Sequence, residues 1–302
     1  MERNPNTNEK NPMKIAYCLT GLIGGKVPEP GTPQQGGDLD ILELSYKHFK
    51  KHILDVNPDC EIDVFCHSAN VEFKDEINRL YQPKKSLYIN QPNFVIPNYV
   101  GGDLNRKNAH YHKWFSHKKV MELRKEYEQE VEYEYDFVYI GRYDIAWTTD
   151  IIFKDLNPNK FYITNWNRLY YKDKPIENAD WYKMIEMDGL IQENIPQYEH
   201  ITSKLVGYPH NNEGVMDSWF ISNPEYIDIL CQIYDNLDEY TKPGKTWMGG
   251  KSTVCDHNGK ISNHRLIPYQ LELHNILKDI EFKFYTHDDT PLIRRLYFKT
   301  RR

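Results

Sequence analysis

Residues 13–21 read MKIAYCLTG, and residues 61–68 read EIDVFCHS. Each is a short and nearly continuous apolar run, which is the pattern of a strand buried on both faces. A loop rich in Gly and Pro follows the first run over residues 24–37, and a helix with one apolar stripe begins after Asp38, whose side chain suits an N-cap. The order strand, loop, helix, strand predicts two parallel strands joined by a crossover, which is the unit of an α/β sheet.

Small and polar residues close both predicted strands. The first strand ends on Thr20 and Gly21, and the second ends on His67 and Ser68. Because ligands of open α/β sheets bind at the carboxyl ends of the strands, these residues mark the expected site. Thr20 and Gly21 would let the backbone approach a ligand, or else form an ordinary tight turn. His67 would contact a bound ligand, or else serve as a structural histidine at a strand end.

The rest of the chain continues the alternation of strands and helices. We predict a loose tail over residues 1–12 and one domain over residues 13–302, with α/β architecture, a mostly parallel central sheet and helices on both faces. The later predicted elements are a helix near 116–131, strands at 137–140, 160–165 and 216–222, a helix capped by Ser222 or Asn223, an amphipathic helix over 265–280, and a strand at 281–287.

Composition and charge narrow the class of partner. The 302 residues carry 38 Lys and Arg against 44 Asp and Glu, a formal net charge of −6, so a broad cationic surface for nucleic acid is not expected. No apolar run is long enough to cross a bilayer, and the N-terminus has no apolar signal core. These features predict a cytoplasmic protein without a transmembrane segment.

The segment DFVYIGRYDIAW, residues 136–147, carries the strongest functional signal. Its apolar half predicts a central strand, and Arg142 and Asp144 follow where that strand ends. A charge at the end of a core strand is costly unless it is paired or faces a site. Arg142 and Asp144 therefore either pair with each other, or face a cleft in which Asp144 binds a divalent cation and Arg142 neutralises phosphate.

The order of several motifs resembles the glycosyltransferase-like proteins of GT-A fold that occur in bacterial surface-polysaccharide clusters and in large DNA viruses. The resemblance covers about residues 13–290. The segments that carry it are MKIAYCLTG, EIDVFCHS, YDFVYIGRYDIAW, MDSWFISNPE and a final helix that contains Glu272. It implies a single Rossmann-like domain that binds a nucleotide sugar, with host cytoplasm as the location if the source is viral.

The resemblance also implies a metal site, and the sequence departs from it there. Arg142-Tyr143-Asp144 stands where GT-A enzymes usually carry Asp-x-Asp, the motif for the metal and the nucleotide diphosphate. Asp144 alone would hold Mn²⁺ or Mg²⁺. Arg142 in place of the first acid would weaken the metal dependence or take over part of the diphosphate charge.

Sugar transfer needs a base for the acceptor hydroxyl when the enzyme is inverting. Asp217, just before an apolar strand, is the first candidate, and a helix or turn cap is its alternative role. Glu213 is the second candidate base. Trp219 would stack on a sugar ring, and Glu272 is the residue of the last helix that the resemblance places in the cleft.

We therefore expect a glycosyltransferase that moves a sugar from a nucleotide-diphosphate sugar to a hydroxyl of a glycan or glycoconjugate. One alternative is a binding or scaffold protein that kept the fold and lost catalysis. Another is a phosphoryl or sugar-phosphate transferase that uses the same diphosphate-binding face.

Overall fold

The computed structural model describes residues 12–24, 37–165, 170–171, 174–175, 215–247, 252–256, 259–285, 289–290 and 292–293. Its strands are β1 (Met13–Gly21), β2 (Cys60–Ser68), β3 (Lys85–Tyr88), β4 (Phe137–Arg142), β5 (Phe161–Asn165), β6 (Tyr170–Tyr171), β7 (Lys174–Pro175), β8 (Trp219–Ser222), β9 (Thr246–Trp247), β10 (Ser252–Thr253) and β11 (Ile280–Tyr285). Its α-helices are α1 (Leu39–Phe49), α2 (Lys74–Tyr81), α3 (Leu104–Val131), α4 (Pro224–Cys231), α5 (Ile233–Tyr240) and α6 (Asn263–Leu273).

One seven-stranded sheet organises these elements, in the order β11-β5-β8-β4-β1-β2-β3. β1 pairs in parallel with both β2 and β4, and β2 pairs in parallel with β3. β8 runs antiparallel to its neighbours β4 and β5, and β11 is parallel to β5. The described elements therefore form the predicted α/β fold of Rossmann-like type, as one domain around a mostly parallel sheet.

Side chains alternate between the two faces of the sheet because successive residues of a strand point in opposite directions. In β1, Ala16 and Cys18 belong to one apolar core, whereas Ile15, Tyr17 and Leu19 belong to the other. Helices α3 to α6 supply residues to the first core, and α1 and α2 supply residues to the second. The predicted covering of both faces by helices is confirmed.

Local capping explains where two helices begin. The Asp38 side chain accepts a hydrogen bond from the backbone N–H of Asp40 at the start of α1, as the sequence predicts. Asp103 does the same for α3 by accepting from the N–H of Arg106. The predicted start of this helix near residue 116 was wrong, because α3 begins twelve residues earlier and spans 28 residues.

Other boundaries also differ from the predictions. The predicted helix over 265–280 ends at Leu273, and a short 3-10 turn over Leu277–Asp279 separates it from β11. In the predicted tail, only Pro12 is described. No helix in the described part of the chain is both long and apolar enough to span a bilayer.

Candidate functional site

Strand register brings three predicted site residues into one row. Thr20 of β1 is the register partner of His67 in β2 and also of Arg142 in β4. Within each strand, these positions have the parity of the residues that face α3, such as Cys18, Phe65 and Ile140. Thr20, His67 and Arg142 therefore lie side by side at the carboxyl end of the sheet, on the side that α3 covers.

The turn after β1 depends on glycine. Gly21 has φ +91° and Gly24 has φ +84°, both in the region that other residues rarely adopt. At Gly24 a Cβ would lie 3.0 Å from Oδ2 of Asp144, so the backbone passes directly over that carboxylate. Thr20 fixes the start of the turn, because its Oγ1 donates to the carbonyl of Gly141 at 3.1 Å.

The opposite wall comes from α3, and residues 104–115 of this helix precede its predicted start near residue 116. Ala109, His112, Lys113, Ser116 and His117 all line the same cavity. Their spacing of three and four residues places them on one face of the helix. Two features of the sequence mark both the helix and the site. They are the capping residue Asp103 and the polar residues that follow it at helical spacing, His112, Lys113, Ser116 and His117.

These two walls enclose a cavity of about 260 Å³. Thr20, Gly21, Leu22 and Gly24 line it from the end of β1, and the remaining lining residues outside α3 are Gln91, Arg142 and Asp217. The volume is just below the range of about 300–1,000 Å³ typical of small-molecule sites. The cavity therefore suits a compact charged group, such as a diphosphate, better than a complete nucleotide sugar.

Arg142 and Asp144 form a bidentate ion pair at the cavity floor. Arg142 Nε donates to Asp144 Oδ1 at 2.7 Å, and its Nη2 donates to Oδ2 at 2.8 Å. The Asp144 side chain is fully buried, whereas 30% of the Arg142 side chain is exposed. Burial opposes the charged guanidinium, but the charge and hydrogen bonds of Asp144 outweigh it and raise the pKa of Arg142. Arg142 is the member of the pair that reaches the cavity.

This pairing bears on the expected metal site at Asp144. Both carboxylate oxygens already accept from a cation, and no cluster of three or more His, Cys, Asp or Glu side chains suited to a metal occurs within the described ranges. The described residues therefore do not fit a Mn²⁺ or Mg²⁺ ion held by Asp144. Arg142 and Asp144 bind each other, which is the structural alternative for these two residues.

Asp217 lies in the cavity, also in an ion pair. Its Oδ2 is 2.9 Å from Lys113 Nζ and accepts from Asn263 Nδ2 at 3.1 Å, and Lys113 donates to the Asp217 carbonyl as well. Burial acts to raise the pKa of Asp217, but Lys113, His264 and Arg142 outweigh it and hold the pKa well below its usual range. Asp217 is therefore ionised and, in this pairing, a weak base.

Two imidazoles are buried at this edge of the sheet, His67 in the row and His117 on α3. Neither ring nitrogen of His67 has a hydrogen-bond partner among the described residues, and the same holds for Nδ1 of His117. Burial lowers the pKa of His67 to about 4, and burial together with Lys113 lowers the pKa of His117 well below its usual value. Both imidazoles are neutral near pH 7. His117 lines the cavity, and His67 is 1% exposed beneath it.

Trp219 does not line the cavity, so the predicted sugar stacking was wrong for the described fold. It is fully buried on the opposite face of the sheet, because its neighbour Phe220 is the β8 residue that faces α3. Its ring packs on Trp147 with centroids 5.2 Å apart, and its Nε1 donates to Thr290 at 3.2 Å.

Glu272 lies away from this cavity. Asn263, at the first turn of α6, contacts Asp217, whereas Glu272 lies nine residues further along the same helix. At 1.5 Å per residue this is about 14 Å from the contact, and Glu272 is not among the residues that line the cavity. Glu213, the second candidate base, lies outside the described residues.

Comparisons with known proteins add little to this geometry. No family model matches the chain, and no curated protein matches it. Among solved structures, CTP:phosphocholine cytidylyltransferase from Streptococcus pneumoniae is similar over 96% of this chain and 97% of its own, with 11% sequence identity and a TM-score of 0.41. A likeness at this level carries no information about the chemistry of the site.

The buried state of His67 predicts a dependence of stability on pH. Its pKa is about 4 in the folded protein and about 6.5 when unfolded, so between these values the unfolded chain binds more protons. Stability therefore falls as the pH falls from 6.5 to 4, and His67 accounts for about 3 kcal/mol of that loss. Urea unfolding at several pH values should show a flatter dependence for His67→Leu, and an unchanged slope would contradict this account.

The different exposure of Arg142 and Asp144 predicts unequal effects of their removal. Arg142→Met leaves a fully buried carboxylate without its guanidinium and should cost about 3 kcal/mol of unfolding free energy. Asp144→Asn should cost less, because Arg142 can turn towards the cavity. In urea unfolding, Arg142→Met combined with Asp144→Asn should be more stable than Arg142→Met alone. Equal losses in the two single variants would contradict the predicted inequality, and additive losses in the double variant would show that the two groups are not coupled.

Proposed function

We propose that this protein is a glycosyltransferase that binds a nucleotide-diphosphate sugar with the diphosphate in the cavity between α3 and the carboxyl ends of β1 and β4. The observation that supports this most is the meeting of two cations, Lys113 and Arg142, with a glycine turn at that edge of the sheet. Ligands of open α/β sheets bind at this position. Arg142 is suited to phosphate because its planar fork presents several donors.

The chemistry of sugar transfer explains why cations belong in this cavity. The anomeric carbon becomes oxocarbenium-like, while negative charge develops on the departing diphosphate. Lys113 and Arg142 stand in a partly desolvated site, where a fixed positive charge stabilises that diphosphate more than it would in water. In this proposal they supply the charge that the expected metal would otherwise provide.

A second candidate is a binding protein that kept the fold without catalysis. The ion pairs of Asp144 and Asp217 favour it, because each candidate acid is held by a cation. A phosphoryl or sugar-phosphate transferase would use the same cations, and product analysis separates it from a glycosyltransferase.

Thermal melting tests donor binding. UDP-, GDP- and CMP-linked sugars at millimolar concentration, each with and without Mn²⁺, should include a donor that raises the melting temperature by mass action. Ala109 is exposed and lines the cavity, so Ala109→Trp should block the cavity and abolish the shift at little cost in stability. Asn105→Trp, exposed on the first turn of the same helix and outside the cavity lining, should keep the shift.

Three results would count against this proposal. If no donor raises the melting temperature, or if the rise persists in Ala109→Trp, the donor does not bind in this cavity. A shift without any release of nucleoside diphosphate in the presence of glycan acceptors would favour the binding protein instead. A shift that requires Mn²⁺ would show that a metal contributes despite the Arg142 pairing.

A further inference from the structure

Lys113 contacts the cavity and Asp217 at the same time. Its Nζ is 2.9 Å from Asp217 Oδ2, and both side chains keep some exposure, 15% for Lys113 and 24% for Asp217. Both residues also line the cavity. An anion that enters the cavity therefore competes with Asp217 for the same ammonium group.

Arg142, the other cation of the cavity, is held more firmly by its carboxylate partner. Arg142 holds Asp144 through two hydrogen bonds, and Asp144 is fully buried, so an exchange that took the guanidinium away from this carboxylate would be costly. Asp217 is partly exposed, and it keeps the hydrogen bond from Asn263 if Lys113 leaves. The Lys113 pair is the one that a ligand can open.

Several other groups act on Asp217. Besides Lys113 these are His110 and His117 from α3, Asn263 and His264 from α6, and Arg142 from the end of β4. Burial lowers the pKa of His110 to about 4 and holds that of His117 well below its usual value, so both are neutral near pH 7. Lys113 is thus the closest full positive charge on Asp217, and its departure changes the Asp217 carboxylate most.

We propose that the diphosphate of the donor draws Lys113 away from Asp217, and that the Asp217 carboxylate released in this way takes the proton of the acceptor hydroxyl. This inference rests on the proposed function and deepens it. Without donor, Asp217 is neutralised by Lys113, and only the loaded site holds a carboxylate able to act as a base.

Sugar transfer in this site forms one bond and breaks one bond. The acceptor oxygen forms a bond to the anomeric carbon while the bond from that carbon to the diphosphate oxygen breaks. The electron pair of the broken bond stays with the diphosphate, whose charge Lys113 and Arg142 stabilise. The proton of the acceptor hydroxyl moves to the Asp217 carboxylate, which returns it to water after the products leave.

Pyrophosphate binding, measured by calorimetry at fixed pH and ionic strength, tests the exchange. Lys113→Met should weaken binding at least 10-fold, because the cation is gone. Asp217→Asn, which keeps the shape of the side chain, should tighten binding about 10-fold, because the anion no longer has a competitor for Lys113. In the Lys113→Met variant, the further substitution Asp217→Asn should change the pyrophosphate affinity less than 3-fold.

A second lysine pair on the same helix provides the matched control. Lys118 pairs with Asp235, and neither residue lines the cavity. Lys118→Met and Asp235→Asn change the same charges and should leave pyrophosphate affinity within 2-fold. If Lys113→Met does not fold, the comparison of Asp217→Asn with Asp235→Asn still decides the outcome.

The results separate failure of the exchange from failure of the proposed function. Unchanged affinity in Asp217→Asn, or equal tightening with and without Lys113, would overturn the exchange even if the protein transfers sugars. The protein could show the predicted coupling of Lys113 and Asp217 in pyrophosphate binding and yet bind no nucleotide sugar. That result would overturn the proposed function and the base role of Asp217, while the exchange would stand. In an active enzyme, Asp217→Asn should lower kcat at least 100-fold without raising the donor KM, and a retained kcat would overturn the base role.

Discussion

The candidate site depends on the parallel pairing of β1 with β2 on one side and with β4 on the other. This pairing makes Thr20 the register partner of both His67 and Arg142, and the alternation of side chains turns all three towards α3. A shift of β4 by one residue would send Arg142 to the opposite face and separate it from the cavity. The side chains on the two faces of β1 belong to different cores, so a slip of β1 by one residue would move each of them into the other core.

Charge balance is the second constraint on the site. Two cations, Lys113 and Arg142, line the cavity, and so does Asp217. Asp144 lies beneath the glycine turn that follows β1. The Arg142–Asp144 pair is deep and bidentate, whereas the Lys113–Asp217 pair is open to the cavity. The first pair therefore acts as part of the fold, and the second is the part of the site that an anionic ligand can rearrange.

Sequence patterns predicted most of the strands and helices of the sheet, because apolar runs and capping residues act locally. The strand at Met13–Gly21 and the Asp38 cap of α1 follow from neighbouring residues alone. The early part of α3 was missed because one side of it faces the cavity, so His112 and Lys113 stand where an apolar stripe would continue. The Lys113–Asp217 pair joins residues 104 positions apart, and no local pattern records such a contact. The direction of β8 and the face that Trp219 occupies depend on the path of the chain in the same way.

The central claim is that a donor diphosphate binds between Lys113 and Arg142. A crystal structure with a bound nucleoside diphosphate tests it most directly. The account predicts phosphate oxygens within hydrogen-bond distance of Lys113 Nζ and of the Arg142 guanidinium, with Lys113 Nζ more than 4 Å from the Asp217 carboxylate. A diphosphate bound elsewhere on the sheet, or one bound in the cavity with the Lys113–Asp217 contact intact, would contradict it.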